Sequence, residues 1–345
     1  MRDSRIFLAS GVGRLTNQAS GVEDGGVVMG AAARAIGYEE VVPRDLHFRM
    51  STDTVARHWF NGDPWMTHWM NAILAAVPDG ERWVMNSARI QLDRLKDPEV
   101  RQAAINFCKQ ERIHAREHDE MNRACVAHGV PIDRVERVFT KIRTGLQGSL
   151  SPGMQSSIAA AFEHFTAIIS SVMLENPDLF DKTDPELRAM LYWHFVEETE
   201  HKGVSFDVFV EASGGGIAGY LKRVGGMGLA VVVGVPIMVG NQAYLLYKDG
   251  QLTNWRSAIR MGDRLFARPG IFTRIFGSHF LPYFSPDFHP WDDDNREVIQ
   301  VWKRAYDESG DTHKAFEALK AWNLRRRKPA KAARAEPGRK LAVAN

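Results

Sequence analysis

The 345-residue sequence contains only two cysteines, Cys108 and Cys125, and they do not form a Cys-x-x-Cys pair. Two thiols cannot build a disulfide framework, so the sequence favours a reducing compartment. The net charge is only +2, which gives nucleic-acid binding no support. The N-terminus lacks the apolar core and cleavage site of a secretory signal. We therefore expect a cytoplasmic protein that binds no nucleic acid.

Strand patterns and common catalytic motifs are also scarce. Alternating β-branched runs are few, and the glycines of "GVGRL" and "GGGIAG" do not follow a clear strand, so neither is a convincing nucleotide-binding loop. No Ser/His/Asp order or Walker loop is present. Helical spacing dominates from Pro43 onward. The sequence therefore predicts an all-α protein, with helices over 64–77, 78–95, 97–129, 151–176 and 183–212.

Composition divides the chain into four predicted regions. Residues 1–42 are rich in Gly, Ala and Val without a clear period and read as a leader or lid. Residues 43–218 form the predicted helical bundle. An apolar segment with appended C-terminal helices follows over 219–322. Residues 323–345 are basic and contain Pro and Gly, which predicts a disordered tail.

The stretch "WHFVEETEHKG" (193–203) contains an unusual density of titratable groups. On a helix, His194, Glu198 and His201 share one face, because residues three and four apart are neighbours. Glu197 and Glu200 flank that face. A stripe of two imidazoles and a carboxylate is unsuited to an apolar core, where an unpaired carboxylate is costly. We therefore expect this face to meet a cation.

Matching groups occur on other predicted helices. Glu111 and His114 form a second Glu-x-x-His, and Glu81 and Glu163 are single glutamates among apolar neighbours. Two single-Glu helices and two Glu-x-x-His helices form the ligand pattern of ferritin-like di-iron and di-manganese bundles. His118 is expected at the surface, with a supporting role as the alternative. His164 follows Glu163 directly, so it points about 100° away and is not expected to be a ligand.

Carboxylate and imidazole ligands together suit iron or manganese. We predict two iron ions, with manganese as the alternative and zinc the least suited. The predicted ligands, in chain order, are Glu81, Glu111, His114, Glu163, His194, Glu198 and His201.

An uncharged segment, residues 225–247, is long enough to cross a bilayer core. It also contains Gly, Pro236, Asn241 and Gln242, so we favour a buried helix or in-plane membrane contact over a span. The basic tail is either a solvated tail or a contact for anionic headgroups. Peripheral association with the inner face of the cytoplasmic membrane is therefore an expectation. So is a homodimer, which is frequent among ferritin-like bundles.

Two family resemblances add to this interpretation. The run "FNGDPWMTHWMNAILAAVPDGERWVMNSAR", both Glu-x-x-His segments and "SPDFHPWDDD" resemble the bacterial family of predicted metal-dependent hydrolases over roughly residues 43–310. The ligand order is similar to that of p-aminobenzoate N-oxygenase-type di-iron proteins. In that type, an additional histidine four residues before one Glu also ligates iron. His194 holds that place relative to Glu198, and its assignment depends mainly on this resemblance.

Three functions are compatible with the predicted site. The first is a di-iron oxidase or oxygenase that uses dioxygen and an unidentified electron donor on a small or lipid-like substrate, in a dry pocket supplied by the protein. The second is a two-metal hydrolase, which the family label favours. The third is a non-catalytic metal-binding protein, which the large region beyond a minimal bundle disfavours.

Overall fold

The computed structural model describes residues 41–267 and 270–332, and this part of the chain contains helices and no strand. The expected all-α class is confirmed. The helices are α1 (Pro64–Leu74), α2 (Val77–Arg89), α3 (Pro98–Ala127), α4 (Ile132–Ser149), α5 (Pro152–Glu175), α6 (Pro185–Glu200), α7 (Val204–Ser213), α8 (Gly216–Lys248), α9 (Trp255–Phe266), α10 (Ile271–Arg274), α11 (Arg296–Ser309) and α12 (Thr312–Ala332). A π-helix, Ile275–Phe280, continues α10.

Several helices begin with a capping side chain followed by proline. The Asp97 carboxylate accepts from the backbone N–H of Glu99, and the Asp184 carboxylate accepts from that of Glu186. Ser151 caps α5 in the same way. Proline at the first helical position loses nothing, because its missing N–H would have no partner there. These local signals fix where three of the site's helices start.

The helices pack around one another without a central sheet. α2 packs against α3 and α5, and α5 packs against α6, α7 and α8. α11 and α12 cover the side of α6. The core includes the buried aromatic residues Phe60, Phe180, Tyr192 and Trp193. The result is a helical bundle in which α2, α3, α5 and α6 surround a common interior.

Three features differ from the helices expected from sequence. α4 is not among the predicted helices. The helix expected over 183–212 is two helices, because α6 ends at Glu200 and α7 begins at Val204. At the break, Gly203 lies so close to Trp291 that an added Cβ would be 2.9 Å from its Nε1. Glycine is therefore required there, and glycine also favours ending a helix.

The C-terminal boundary also differs. α12 continues to Ala332, whereas residues 323–345 were expected to form a disordered tail. Asn323 is buried and donates its side-chain amide to the Leu174 carbonyl at 3.0 Å, and Arg327 pairs with Asp178. These contacts hold the helix beyond residue 322. Residues 333–345 and 1–40 lie outside the described residues, and so does nearly all of the predicted leader.

Two helices are long and apolar enough to cross a membrane by length and composition. In α5, 78% of the apolar window is buried, so it is the central helix of the bundle. In α8, only 17% of the corresponding window is buried. The segment 225–247 is thus part of one 33-residue helix of which few residues are buried.

Candidate dimetal centre

The structure brings all seven predicted ligands into the interior between α2, α3, α5 and α6. Each of these seven residues is at most 4% exposed. Glu81 comes from α2, Glu111 and His114 from α3, and Glu163 from α5. His194 and Glu198 come from α6, and His201 is the residue that ends α6. Periodicity explains the arrangement, because the three- and four-residue spacings keep each pair on the inward face.

Glu198 lies at the centre of the cluster. Its Oε1 is 2.8 Å from His194 Nε2, 3.5 Å from His114 Nδ1 and 3.8 Å from His201 Nε2. Glu81 approaches from α2, with its Oε1 3.6 Å from His194 Nε2. One carboxylate oxygen therefore faces three imidazoles from two helices.

A second carboxylate, Glu111, occupies the facing position on α3. Its Oε1 is 3.0 Å from His201 Nε2 and 3.8 Å from His114 Nδ1. Glu163 approaches His201 from the other side, with Oε2 3.1 Å from Nδ1. Glu111 and Glu198 thus lie between the imidazoles, while Glu81 and Glu163 lie at the two ends.

The cluster is rich in carboxyl groups. It contains four buried glutamates, and none of them pairs with Lys or Arg in the part of the chain that the structure describes. Burial raises the pKa of Glu163 to about 8, and repulsion by Glu111 and Glu198 adds to the shift. Burial, followed by repulsion from Glu111 and Glu198, also raises the pKa of Glu81. Without a metal, protons have to balance these carboxyl groups, and bound cations would take the place of those protons.

Several polar atoms of the cluster are left without a hydrogen-bond partner, which supports a metal site. His201 Nε2 and Glu111 Oε1 are only 3.0 Å apart, yet neither makes a hydrogen bond. Glu198 Oε2, His114 Nδ1 and both Glu81 oxygens are buried without a hydrogen-bond partner. Buried polar atoms in proteins are normally satisfied. Two pairs in the cluster do hydrogen-bond, His194 with Glu198 at 2.8 Å and His201 with Glu163 at 3.1 Å. The other converging oxygen and nitrogen atoms, which have no hydrogen-bond partner, could hold metal ions.

His118 differs from its expected position at the surface, because it is completely buried. Its Nε2 is 2.7 Å from His194 Nδ1, and it forms a compact group with Glu81 and His194. Burial, with repulsion from His194 and His114, holds the pKa of His118 well below its ordinary value. Neutral His118 therefore orients the His194 ring. The signal in the sequence is the four-residue spacing from His114, which puts both histidines on one face of α3.

Glu197 and Glu200 flank the ligand face, as expected from their spacing. The Glu197 carboxylate lies 3.0 Å from His114 Nε2 and accepts from Arg44 at 2.9 Å. Although burial opposes it, the contacts with His114 and Arg44 hold the pKa of Glu197 below its ordinary value. Glu200 is paired with Arg44 and Lys303. Glu197 thus fixes the His114 ring so that Nδ1 faces the cluster.

A cavity of about 200 Å³ lies near α5 and the turn after α6, and none of the seven predicted ligands lines it. Its wall includes His164 and Lys202, the residues that follow Glu163 and His201 in the chain. Lys202 donates to the Asn295 side chain at 2.8 Å, and His164 Nε2 is 3.2 Å from the His279 carbonyl oxygen. His164 belongs to none of the ligand groups, in agreement with its sequence assignment. The "SPDFHPWDDD" motif supplies the opposite wall.

A second group of potential ligands lies elsewhere, between the α1 region and the C-terminal end of α8. Asp249 Oδ2 is 2.6 Å from His58 Nε2 and 2.9 Å from His68 Nε2. Arg57 Nε donates to the other oxygen, Oδ1, at 2.6 Å. Both oxygens of the carboxylate therefore have cationic or N–H partners. These contacts tie α8 to α1 and leave neither carboxylate oxygen without a partner.

Comparison with known proteins gives one match. The family model described as "Predicted metal-dependent hydrolase" matches residues 42–294. The matched region contains all seven predicted ligands and the loop that lines the cavity. No curated protein and no solved structure matches the chain significantly.

Proposed function

The chain belongs to the family of predicted metal-dependent hydrolases. Starting from that metal dependence, we propose that it is a di-iron carboxylate enzyme that uses dioxygen to oxidise a small or hydrophobic substrate. The main support is the set of four buried glutamates that no Lys or Arg neutralises among the described residues. Two divalent ions carry the charge that would balance four carboxylates. The four-helix origin of the ligands matches the ferritin-like dimetal pattern.

The positions of the carboxylates suggest which of them each metal shares. Glu111 and Glu198 each approach two or more imidazoles, so both would hold metal at the centre of the cluster. Glu81 and Glu163 lie at opposite ends and would hold metal there. His194 would serve the Glu81 end, and His201 the Glu163 end. Iron held there would supply dioxygen activation and one-electron steps, with electrons from an external donor.

The surroundings of the imidazoles favour oxidation over hydrolysis. The Trp193 ring meets the edge of His114 at 4.9 Å between centroids, and Phe107 meets His201 at 4.8 Å. Both aromatic rings are buried. These walls exclude water from the ligand cluster, and a dry site protects a reactive oxidant from side reactions. The cavity lined by His164 and Lys202, which follow Glu163 and His201 in the chain, is the proposed place for the substrate.

A two-metal hydrolase is the second candidate, and the family's description favours it. In that case the metals would activate water and polarise the substrate. We rank it second because the ligands are glutamates and histidines inside a bundle, and the site has no exposed carboxylates.

The deciding experiment counts metals and follows dioxygen. The full chain is expressed with added iron, purified, analysed for metal, reduced without oxygen and then mixed with dioxygen while absorbance is recorded. We expect two irons per chain, dioxygen uptake and a transient visible band. The matched control is Glu175→Gln, which changes a half-exposed glutamate on the same helix as Glu163.

The competing functions give different results. Two zinc ions per chain, no dioxygen uptake and turnover of esters or phosphoesters would sink the oxidase proposal and support the hydrolase. Uptake of many more than two ions per chain would favour metal storage.

A further inference from the structure

The outer face of α8 is apolar along its whole length. Val232 is 72% exposed, and Leu221, Val235, Val239 and Tyr247 are exposed on the same side. Their spacing follows the helical repeat, so they form one stripe. No charged residue occurs between positions 224 and 247. A helix face that is packed against nothing in the described chain would normally carry charged side chains.

The apolar surface continues past the end of α8. Leu252 and Ile259 are exposed, and Trp255, at the start of α9, is 64% exposed. Phe266, at the end of α9, is 62% exposed and stacks on Phe272 with centroids 5.3 Å apart.

A row of phenylalanines then leads back to the bundle. Phe272 stacks on the exposed Phe276 at 5.5 Å, and Phe276 meets Phe280 at 5.3 Å. Phe280 stacks on Phe165 of α5 at 5.6 Å. We call the exposed residues of α8, the α8–α9 turn, α9 and the π-helix the apolar face.

A face of this length is unusual for a monomer in water. Contiguous exposed apolar patches rarely exceed a few hundred Å² unless they contact a partner or a membrane. The contrast with α5 is direct: 78% of its apolar window is buried, against 17% for α8. The apolar composition of α5 is explained by the bundle, but that of α8 is not.

The inner side of α8 packs closely against the bundle. Ser157 of α5 donates to the Lys222 carbonyl at 2.7 Å, and Gly226 lies so close that an added Cβ would overlap the Ser157 side chain. The buried Arg223 donates to the Tyr283 carbonyl at 2.8 Å. One side of α8 is therefore fixed to the bundle. It cannot cross a bilayer alone, but its other side can lie in the plane of one.

The charges around the apolar face indicate which surface it fits. Residues 216–281 contain eight Lys and Arg but only two acidic residues. One acidic residue, Asp249, is buried in its pair with Arg57. The exposed Lys248 lies 5.9 Å from the Tyr247 ring, and Arg256 lies 5.3 Å from the Trp255 ring. Basic groups beside exposed Trp and Tyr are typical of the membrane–water interface.

We propose that the apolar face docks in plane on a lipid bilayer with anionic headgroups. The stripe of α8 and the rings of Trp255, Phe266 and Phe276 enter the boundary between headgroups and acyl chains. Lys248 and Arg256 contact the phosphates. This docking is independent of the metal chemistry, so it can be tested whether or not the enzyme activity is known.

Vesicle flotation of the full, metal-loaded chain tests the proposal. The probes are phosphatidylcholine vesicles with and without phosphatidylglycerol. We expect binding to the anionic vesicles, and at least tenfold weaker binding for the double variant Val232→Asp, Val239→Asp. The matched control is Val138→Asp, at an exposed valine of α4, which should bind as the unchanged protein does.

A second variant guards against a folding defect. Lys248→Gln with Arg256→Gln changes only exposed side chains, and it should weaken binding to anionic vesicles and make it less sensitive to salt. Equal binding of this variant and the unchanged protein would overturn the role of charge. Absence of vesicle binding, with a stable dimer in sedimentation that Val232→Asp, Val239→Asp dissociates, would overturn the proposal in favour of a second copy of the chain.

Discussion

Two groups of titratable side chains in this protein have similar composition but balance their charges differently. The group around Glu198 has four buried glutamates without a Lys or Arg partner among the described residues, and several of its atoms have no hydrogen bond. The group around Asp249 has one carboxylate with Arg57, His58 and His68 around it. Residue types alone would suggest a metal at both. The hydrogen-bond and ion-pair partners distinguish the two groups. The Glu198 group needs cations, whereas the carboxylate of the Asp249 group is already neutralised by its neighbours.

The largest expected effect tests that separation directly. His201→Ala should reduce bound metal from two ions per chain to less than one, because it removes the imidazole between Glu111 and Glu163. His68→Ala, in the Asp249 group, is the control and should leave the metal content unchanged. Metal analysis by mass spectrometry checks both. Full occupancy in His201→Ala, or loss of metal in His68→Ala, would reverse the two assignments.

The contributions of the two groups to the free energy of unfolding should also change with pH in opposite directions. Without metal, the folded protein holds extra protons on Glu163, whose pKa is raised from 4.5 to about 8. The free energy of unfolding should therefore fall as pH rises through that window, by about 1.4 kcal/mol per unit of pKa shift as an upper limit. Burial lowers the pKa of His68 below 6.5. The stability that the neutral His68 ring contributes to the folded protein is therefore lost as pH falls below that value.

Chemical denaturation of metal-free protein between pH 5 and pH 8 measures this response. Glu163→Gln should reduce the fall of the free energy of unfolding toward high pH, because the glutamine amide does not titrate. An equally steep fall in Glu163→Gln would show that the carboxyl group does not cause it.

A smaller effect is expected from a residue that acts through a ligand. Glu197→Gln should weaken metal binding by roughly 10- to 100-fold, because the Glu197 carboxylate holds the His114 ring by its Nε2. Competition with a chelator measures the affinity. The control is Glu186→Gln, at the partly exposed first turn of the same helix and away from the ligands. Unchanged affinity in Glu197→Gln would mean that the His114 ring is fixed by other contacts.

The smallest effect is expected at the Asp249 group. Asp249→Asn should lower the free energy of unfolding by about 1 kcal/mol, since Arg57 and His58 are partly exposed and solvent screens the pair. Metal content should not change. A loss of metal in this variant would contradict the neutral link.

The sequence predicted the helices whose first residues are marked by a local capping motif. Aspartate or serine followed by proline gives the first residues of α3, α5 and α6. The three- and four-residue spacings also indicated which side chains share a face, and the structure brings the seven named residues together. Local pattern was sufficient because both properties depend on residues within one or two turns.

The features that the sequence did not reveal depend on distant residues. Arg44 lies more than 150 positions before Glu197 and Glu200, and no local pattern connects it to them. The burial of His118 depends on the packing of α6 against α3. The contact of Gly203, at the break after Glu200, with Trp291 joins parts of the chain that are far apart in sequence.

The early end of α6 has an electrostatic consequence. His201 ends the helix, its N–H bonds back to the Glu197 carbonyl, and its ring enters the dimetal cluster. The carbonyl groups at a helix C-terminus carry a partial negative charge equivalent to about half an elementary charge. The negative pole of α6 therefore lies at the His201 end of the cluster, where its partial charge would add to the attraction of the carboxylates for the proposed cations.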